Sequence, residues 1–172
     1  MSTGHNLVRD LVSNTLVDSS NIYFASKEKL VKIDMQTGEV IWKFPFPDDI
    51  ASKSTIFIKG NIIYMVNKGM AFMGNRQLDF GKPCFAAFDG QTGNQIFLSI
   101  IDVKDDPILS FELHSKDIYF TFKNRVAKYS METGNEILQK SFPKDDFGEL
   151  KYFVGSQVFI TAQSGDLINL NQ

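Results

Sequence analysis

The stretch KLVKIDMQTGEVIWKF, residues 29–44, reads as two short strands folded about a tight turn, Asp34-Met35-Gln36-Thr37-Gly38. The Asp34 carboxylate is placed to accept backbone N–H bonds across the turn, as in an Asx-turn. Gly38 supplies the positive φ that a bulged hairpin loop demands. Thr37 adds a hydroxyl beside the same loop. The turn comes back as DGQTG at 89–93, as SMETG at 130–134 and as a shortened STG at 2–4. Its first place is Asp34, Asp89 or Ser130 and, taken across the two chain ends, Asn171. All four residues cap turns.

The recurrence sets the architecture. Thr3, Thr37, Thr92 and Thr133 give a mean period of 43 over 172 residues. That period suits four-stranded propeller blades or helical repeats. The local pattern decides between them. Ahead of the four turns lie KLVKID, CFAAFD, RVAKYS and DLINLN; after them lie EVIWKF, NQIFLSI, NEILQKSF and HNLVRDL. Further upstream each repeat carries two more β-rich runs, such as TIFIKG and NIIYMV. The runs are short, rich in Ile, Val, Phe and Tyr, and separated by Gly, Asn, Asp and Ser. No segment keeps a helical period. The sequence therefore predicts an all-β propeller of four four-stranded blades, at about 12–44, 50–100, 107–142, and 149–172 joined by 1–11.

The stretch KIDMQTGEVIW (32–42) resembles the repeat of the pyrroloquinoline-quinone-type (PQQ-like) β-propeller family, Ala-x-Asp-x-x-Thr-Gly-x-x-x-Trp. AFDGQTGNQIF (87–97) keeps Ala87, Asp89, Thr92 and Gly93, with Phe97 in the Trp place. KYSMETGNEIL (128–138) keeps Thr133 and Gly134, and the STG of residues 2–4 keeps Thr3 and Gly4. The resemblance implies propeller blades in which Trp42 is a docking residue. It implies little about activity, since the family holds both quinone-dependent dehydrogenases and non-enzymatic scaffolds. The dehydrogenases stack their quinone on an adjacent cysteine pair and hold calcium. This chain has one cysteine, Cys84, and one tryptophan. The expectation is the non-enzymatic branch, with no cofactor.

The C-terminal SGDLINLNQ stops where the turn should begin, and the N-terminal MSTGHNL starts inside it. The first residues are thus expected to supply the outer strand of the last blade and remove its free edge. Pairing within one chain makes a four-bladed monomer; exchange between two copies makes an eight-bladed homodimer.

Net charge is −2 with lysines scattered among acids, so no basic patch marks a nucleic-acid surface. No run approaches the length of a membrane span and no secretion leader is visible, which predicts a cytoplasmic protein if the chain is complete and leaves the compartment open if it is a piece of a longer one. Cys84, in the apolar run PCFAAFD, reads as a buried inert thiol. His5 and His114 are the two histidines and read as solvated turn residues. Neither they nor any nucleophile elbow or phosphate loop nominates a catalytic group.

Two features are candidates for binding. The blade-to-blade loops each carry an acidic pair: Asp48 and Asp49, Asp105 and Asp106, Asp145 and Asp146. Together they would form an electronegative rim for a cation or a basic protein partner, or simply cap solvated loops. The second feature is the long loop NKGMAFMGNRQLDFGKPC (67–84), with Met70, Phe72 and Met73, which suits a partner or dimer contact, or else folds over the protein's own surface or forms an extra hairpin. The functional expectation is a non-catalytic binding propeller, such as an adaptor or a toxin-neutralising immunity protein. The alternatives are a quinoprotein-like cofactor- or metal-binding enzyme and a fragment of a larger propeller.

Overall fold

A computed structural model describes residues 13–26, 28–47, 54–73, 76–79, 81–103, 106–141, 151–154, 157–161 and 167–169. Every regular element among these residues is a β-strand. The chain divides into two compact units, Met1–Asp102 and Val103–Gln172.

In the first unit, β1 (Leu16–Val17), β2 (Asn21–Ala25), β3 (Lys29–Asp34) and β4 (Val40–Pro45) form an antiparallel meander in that order. The second sheet starts with β5 (Ser54–Lys59) and β6 (Ile62–Asn67). The chain then leaves to make a separate hairpin of β7 (Met70–Met73) and β8 (Arg76–Asp79). It returns as β9 (Cys84–Asp89) beside β6 and finishes with β10 (Gln95–Ile100). The stretch 67–84, read from sequence as a long loop or an extra hairpin, is an inserted hairpin, and it accounts for the widened repeat spacing. Pairing MAFM with RQLD satisfies backbone groups that an open loop would leave to solvent.

The sequence explains which strands are central. In β6 and β9 nearly every side chain is apolar and buried on both faces. The outer strands β4 and β10 carry only exposed and half-buried positions. The facing sides of the two sheets enclose one core of Tyr23, Ala25, Leu30, Ile56, Ile63, Met65, Cys84, Ala86 and Phe88, with Trp42 and Phe44 packed against it. Phe44 and Phe88 meet with ring centroids 5.0 Å apart. Phe88 has no exposed surface, and burying such a ring contributes about 1.5–3 kcal/mol. Cys84 is likewise fully buried.

The second unit repeats the plan. β11 (Ser110–His114), β12 (Asp117–Thr121), β13 (Arg125–Ser130) and β14 (Glu136–Ser141) form a third four-stranded meander. β15 (Lys151–Val154), β16 (Gln157–Thr161) and β17 (Leu167–Asn169) form a three-stranded sheet. Four four-stranded blades were expected; three sheets have four strands, and the fourth has three among the described residues. Residues 1–11, expected to complete it, with Thr3, Gly4 and His5, lie outside the described residues, as does Asn171.

The recurring turn has the same geometry in three sheets. Asp34 Oδ1 accepts the N–H of Gln36 and of Thr37, both at 2.8 Å, and Asp89 Oδ1 accepts those of Gln91 and Thr92. Ser130 Oγ takes the same place toward Glu132 and Thr133 at 3.2 Å. The threonine hydroxyls accept the next free N–H, from Glu39, Asn94 and Asn135. Gly38, Gly93 and Gly134 all have φ of 74°, the left-handed region that closes the loop.

Immediately after each turn the outer strand carries a β-bulge. Ile33 faces Val40 and Lys32 faces Trp42, so Ile41 stands unmatched between them. Ile96 and Ile137 are the extra residues at the same place in the second and third sheets. A bulge bends the strand and re-aims the side chain that follows it. Here that side chain is Trp42, Phe97 or Leu138, the three positions the repeat aligns.

Candidate binding face

One cross-strand row organises each sheet. In the first sheet it runs Leu16, Tyr23, Lys32, Trp42. In the second it runs Phe57, Tyr64, Ala87, Phe97, and in the third Glu112, Tyr119, Lys128, Leu138. In the first unit this row docks on the recurring turn of the neighbouring sheet. Lys32 Nζ donates to the Gly90 carbonyl at 3.0 Å, and Trp42 Nε1 donates to the same oxygen at 3.3 Å. The indole lies directly over Gly93, where a Cβ would sit 2.6 Å from Trp42 Cδ2. The turn therefore both closes a hairpin and forms the seat for the preceding sheet.

A second contact joins the same two sheets at the inner edge. Asn14 Nδ2 donates to the Ile56 carbonyl and Asn14 Oδ1 accepts the Ile56 N–H, each at 2.8 Å. The side-chain amide makes the two bonds that a further strand would make, and so covers the edge of β5.

The recurring turns occupy one end of each of the three four-stranded sheets. At the opposite end of the second sheet Ser54, Asn67, Cys84 and Ile100 stand in one row, and from there the β7–β8 hairpin departs. Its base is specified by backbone geometry. Asn67 is buried, and its Oδ1 accepts the Gly69 N–H at 2.7 Å. Gly69 has φ of 70°, and a Cβ there would lie 2.8 Å from Pro83 Cδ and 3.0 Å from the Gly81 carbonyl oxygen. Pro83 is tied to the sheet in turn, its carbonyl accepting the Ile101 N–H at 2.9 Å. Burial lowers the pKa of the neighbouring Lys68. Met70, Phe72 and Met73 all fall on β7, which places the expected contact residues on the inserted element.

Of the six loop acids, only Asp106 is among the described residues; Asp48, Asp49, Asp105, Asp145 and Asp146 lie outside them. Asp106 Oδ1 accepts the Lys123 N–H at 2.8 Å, the bond of a loop-capping carboxylate. Among the described residues no group of three or more His, Cys, Asp or Glu is placed to hold a metal ion. His114 ends β11 and is half-buried rather than solvated in the turn; Ser115, with φ of 58°, begins that turn.

Several polar groups escaped sequence reading. The Tyr23 hydroxyl donates to Asp18 Oδ2 at 2.7 Å, and burial with that bond raises its pKa. The backbone N–H of Ser20, with further donors, holds the Asp18 carboxyl far below the ordinary carboxylate range. In the third sheet Lys128 Nζ meets Asp117 Oδ2 at 2.8 Å, with both side chains mostly covered. The guanidinium of Arg125, buried, lies 3.6 Å from the Phe122 ring centroid and donates to Gln139. The sequence signal for Lys128 with Asp117 and for Arg125 with Gln139 was weak, because these residues become neighbours only once strand register is known.

No protein-family model matches the chain, and no curated protein matches it in sequence. Solved structures do match. The computationally designed Ika4 protein superposes with a TM-score of 0.56 at 11% identity, over 94% of this chain and 91% of that one. Quinohemoprotein alcohol dehydrogenase from Comamonas testosteroni superposes at 0.55 with 9% identity, over 91% of this chain and 33% of the enzyme. A europium-containing methanol dehydrogenase gives 0.54 at 9%, over 90% of this chain and 40% of the enzyme. At such identities the likeness shows the fold alone, that of a β-propeller, and the chain spans well under half the length of the two dehydrogenases.

Proposed function

We propose that this chain is a non-catalytic binding propeller that engages a protein partner through the loop end of its blades, with the β7–β8 hairpin as principal contact. One observation carries the reading: a two-stranded element is inserted into an otherwise plain blade, at the end opposite the turn on which the first sheet docks. Structural duty does not require it, since the first and third sheets make the same meander without one. Its β7 sequence, Met-Ala-Phe-Met, is of the adaptable apolar kind common at interfaces. The acidic pairs of the inter-blade loops favour a basic partner. An adaptor or a neutraliser of a basic toxin domain fits this description. Residues 5–11 complete the fourth sheet in this reading, within one chain or by exchange between two copies.

The test replaces residues 70–79 by a short Gly-Asn-Gly link and compares the two proteins as bait in extracts of the source cells, using quantitative mass spectrometry. Unchanged circular dichroism and melting temperature establish that the sheet survives. The native protein should retain a partner that the shortened one loses. Recovery of the same proteins by both would refute the hairpin as the contact.

A further inference from the structure

We infer that Gly69 is a positioning residue that fixes the hairpin at one angle to its sheet, so that β7 and β8 form a preorganised element rather than a mobile loop. The importance of the hairpin rests on the binding reading above; the brace rests on geometry alone. A hairpin of two four-residue strands is marginal by itself in water, so its placement must come from its base. Three contacts meet there. The Asn67 amide oxygen, fully buried, takes the Gly69 N–H and stops the chain turning away after β6. The Pro83 ring closes on Gly69 at a distance no Cβ could share. The Pro83 carbonyl is fixed by Ile101, which follows β10 and is itself buried. Both chain segments that enter the hairpin are therefore tied to the same sheet end, and Gly69 and Gly81 supply the positive φ values at the two crossings. An element held in this way loses little conformational freedom when a partner binds.

Amide hydrogen exchange on the full chain tests the brace without any partner. Gly69→Ala should speed exchange in β7 and β8 by about tenfold or more, while β5, β6 and β9 keep their native protection. Adding Pro83→Ala removes the overlapping ring and should recover a large part of that protection. Native protection of the hairpin in Gly69→Ala, or equal acceleration in β6 and β9, would overturn the inference. If Gly69→Ala does not fold, Pro83→Ala alone should accelerate the hairpin severalfold, and no change would equally overturn it. Loss of binding on hairpin deletion together with native protection in Gly69→Ala would sink the brace and leave the binding reading standing. The reverse pattern would sink the binding reading alone.

Discussion

Replacing Gly93 by Ala tests how the recurring turn works. Gly38 and Gly93 have the same φ of 74°, so Ala at either position carries the left-handed penalty of about 1–2 kcal/mol. At Gly38 nothing lies within 4 Å of the added Cβ, and the penalty ends there. At Gly93 the new methyl would meet Trp42 at 2.6 Å from Cδ2, 2.7 Å from Cε3 and 3.0 Å from Cγ. The indole cannot yield without giving up its bond to the Gly90 carbonyl and its packing on the core. Overpacking of that kind costs about 1–3 kcal/mol. Gly93→Ala should therefore lose about 2–5 kcal/mol against about 1–2 for Gly38→Ala. At this chain length each kcal/mol moves the melting temperature by about 2–4 °C. In a Trp42→Ala background the overlap is gone and Gly93→Ala should cost no more than Gly38→Ala, a coupling of about 1–3 kcal/mol. Urea unfolding followed by circular dichroism measures the native protein and all four variants, since the single tryptophan is removed in two of them. Equal losses at Gly38 and Gly93, or a Gly93→Ala cost that persists without Trp42, would refute the docking role of the turn.

Three further outcomes are expected. Donation from the Thr37 and Thr92 N–H groups, with their neighbours, lowers the pKa of Asp34 and Asp89, and Asp18 is lowered by Ser20 and others. Groups with depressed folded pKa contribute stability that is present above about pH 4 and is lost as pH falls through the folded values. The urea midpoint should thus drop steadily below pH 4, and Asp34→Asn with Asp89→Asn should flatten that drop; an unchanged slope would remove these turns from the account. Asn14→Ala deletes two hydrogen bonds to Ile56 and should cost about 1–3 kcal/mol, with faster exchange of the Ile56 amide; native exchange there would deny the edge-covering role. Asp117→Ala strands the Lys128 ammonium in a mostly covered site, so it should destabilise more than Asp117→Leu combined with Lys128→Met, and the opposite ranking in the same unfolding assay would discount that ion pair.

Much of this fold was legible because a turn is local chemistry. Asp34, Thr37 and Gly38 act on backbone groups within a few residues of themselves, so their recurrence counts repeats without knowledge of tertiary structure. The central strands were legible for a related reason: a strand buried on both faces reads as an unbroken apolar run, as CFAAFD does. Residues whose roles depend on register or on another sheet were not legible. Asn14 looks like a loop asparagine until Ile56 is brought beside it, 42 positions away in sequence. The bulge residues Ile41, Ile96 and Ile137 look like ordinary strand isoleucines until the pairing slips by one. The candidate site was half legible. Its location came from the repeat spacing, while the choice between an open loop and an extra hairpin came only from the strand pairing. The loop acids show the limit of composition, for Asp106 has its own backbone partner in Lys123.

The proposal most open to test is that residues 5–11 complete the last sheet, within one chain or by exchange between two copies. Solution NMR tests it directly, through contacts between the backbone protons of residues 5–11 and those of β17, on protein sized by light scattering. The account predicts an antiparallel set of cross-strand contacts and slow exchange across residues 5–11, at a mass near 19.5 kDa or twice that value. Random-coil shifts and fast exchange in residues 5–11, with an open edge on β17, would contradict it.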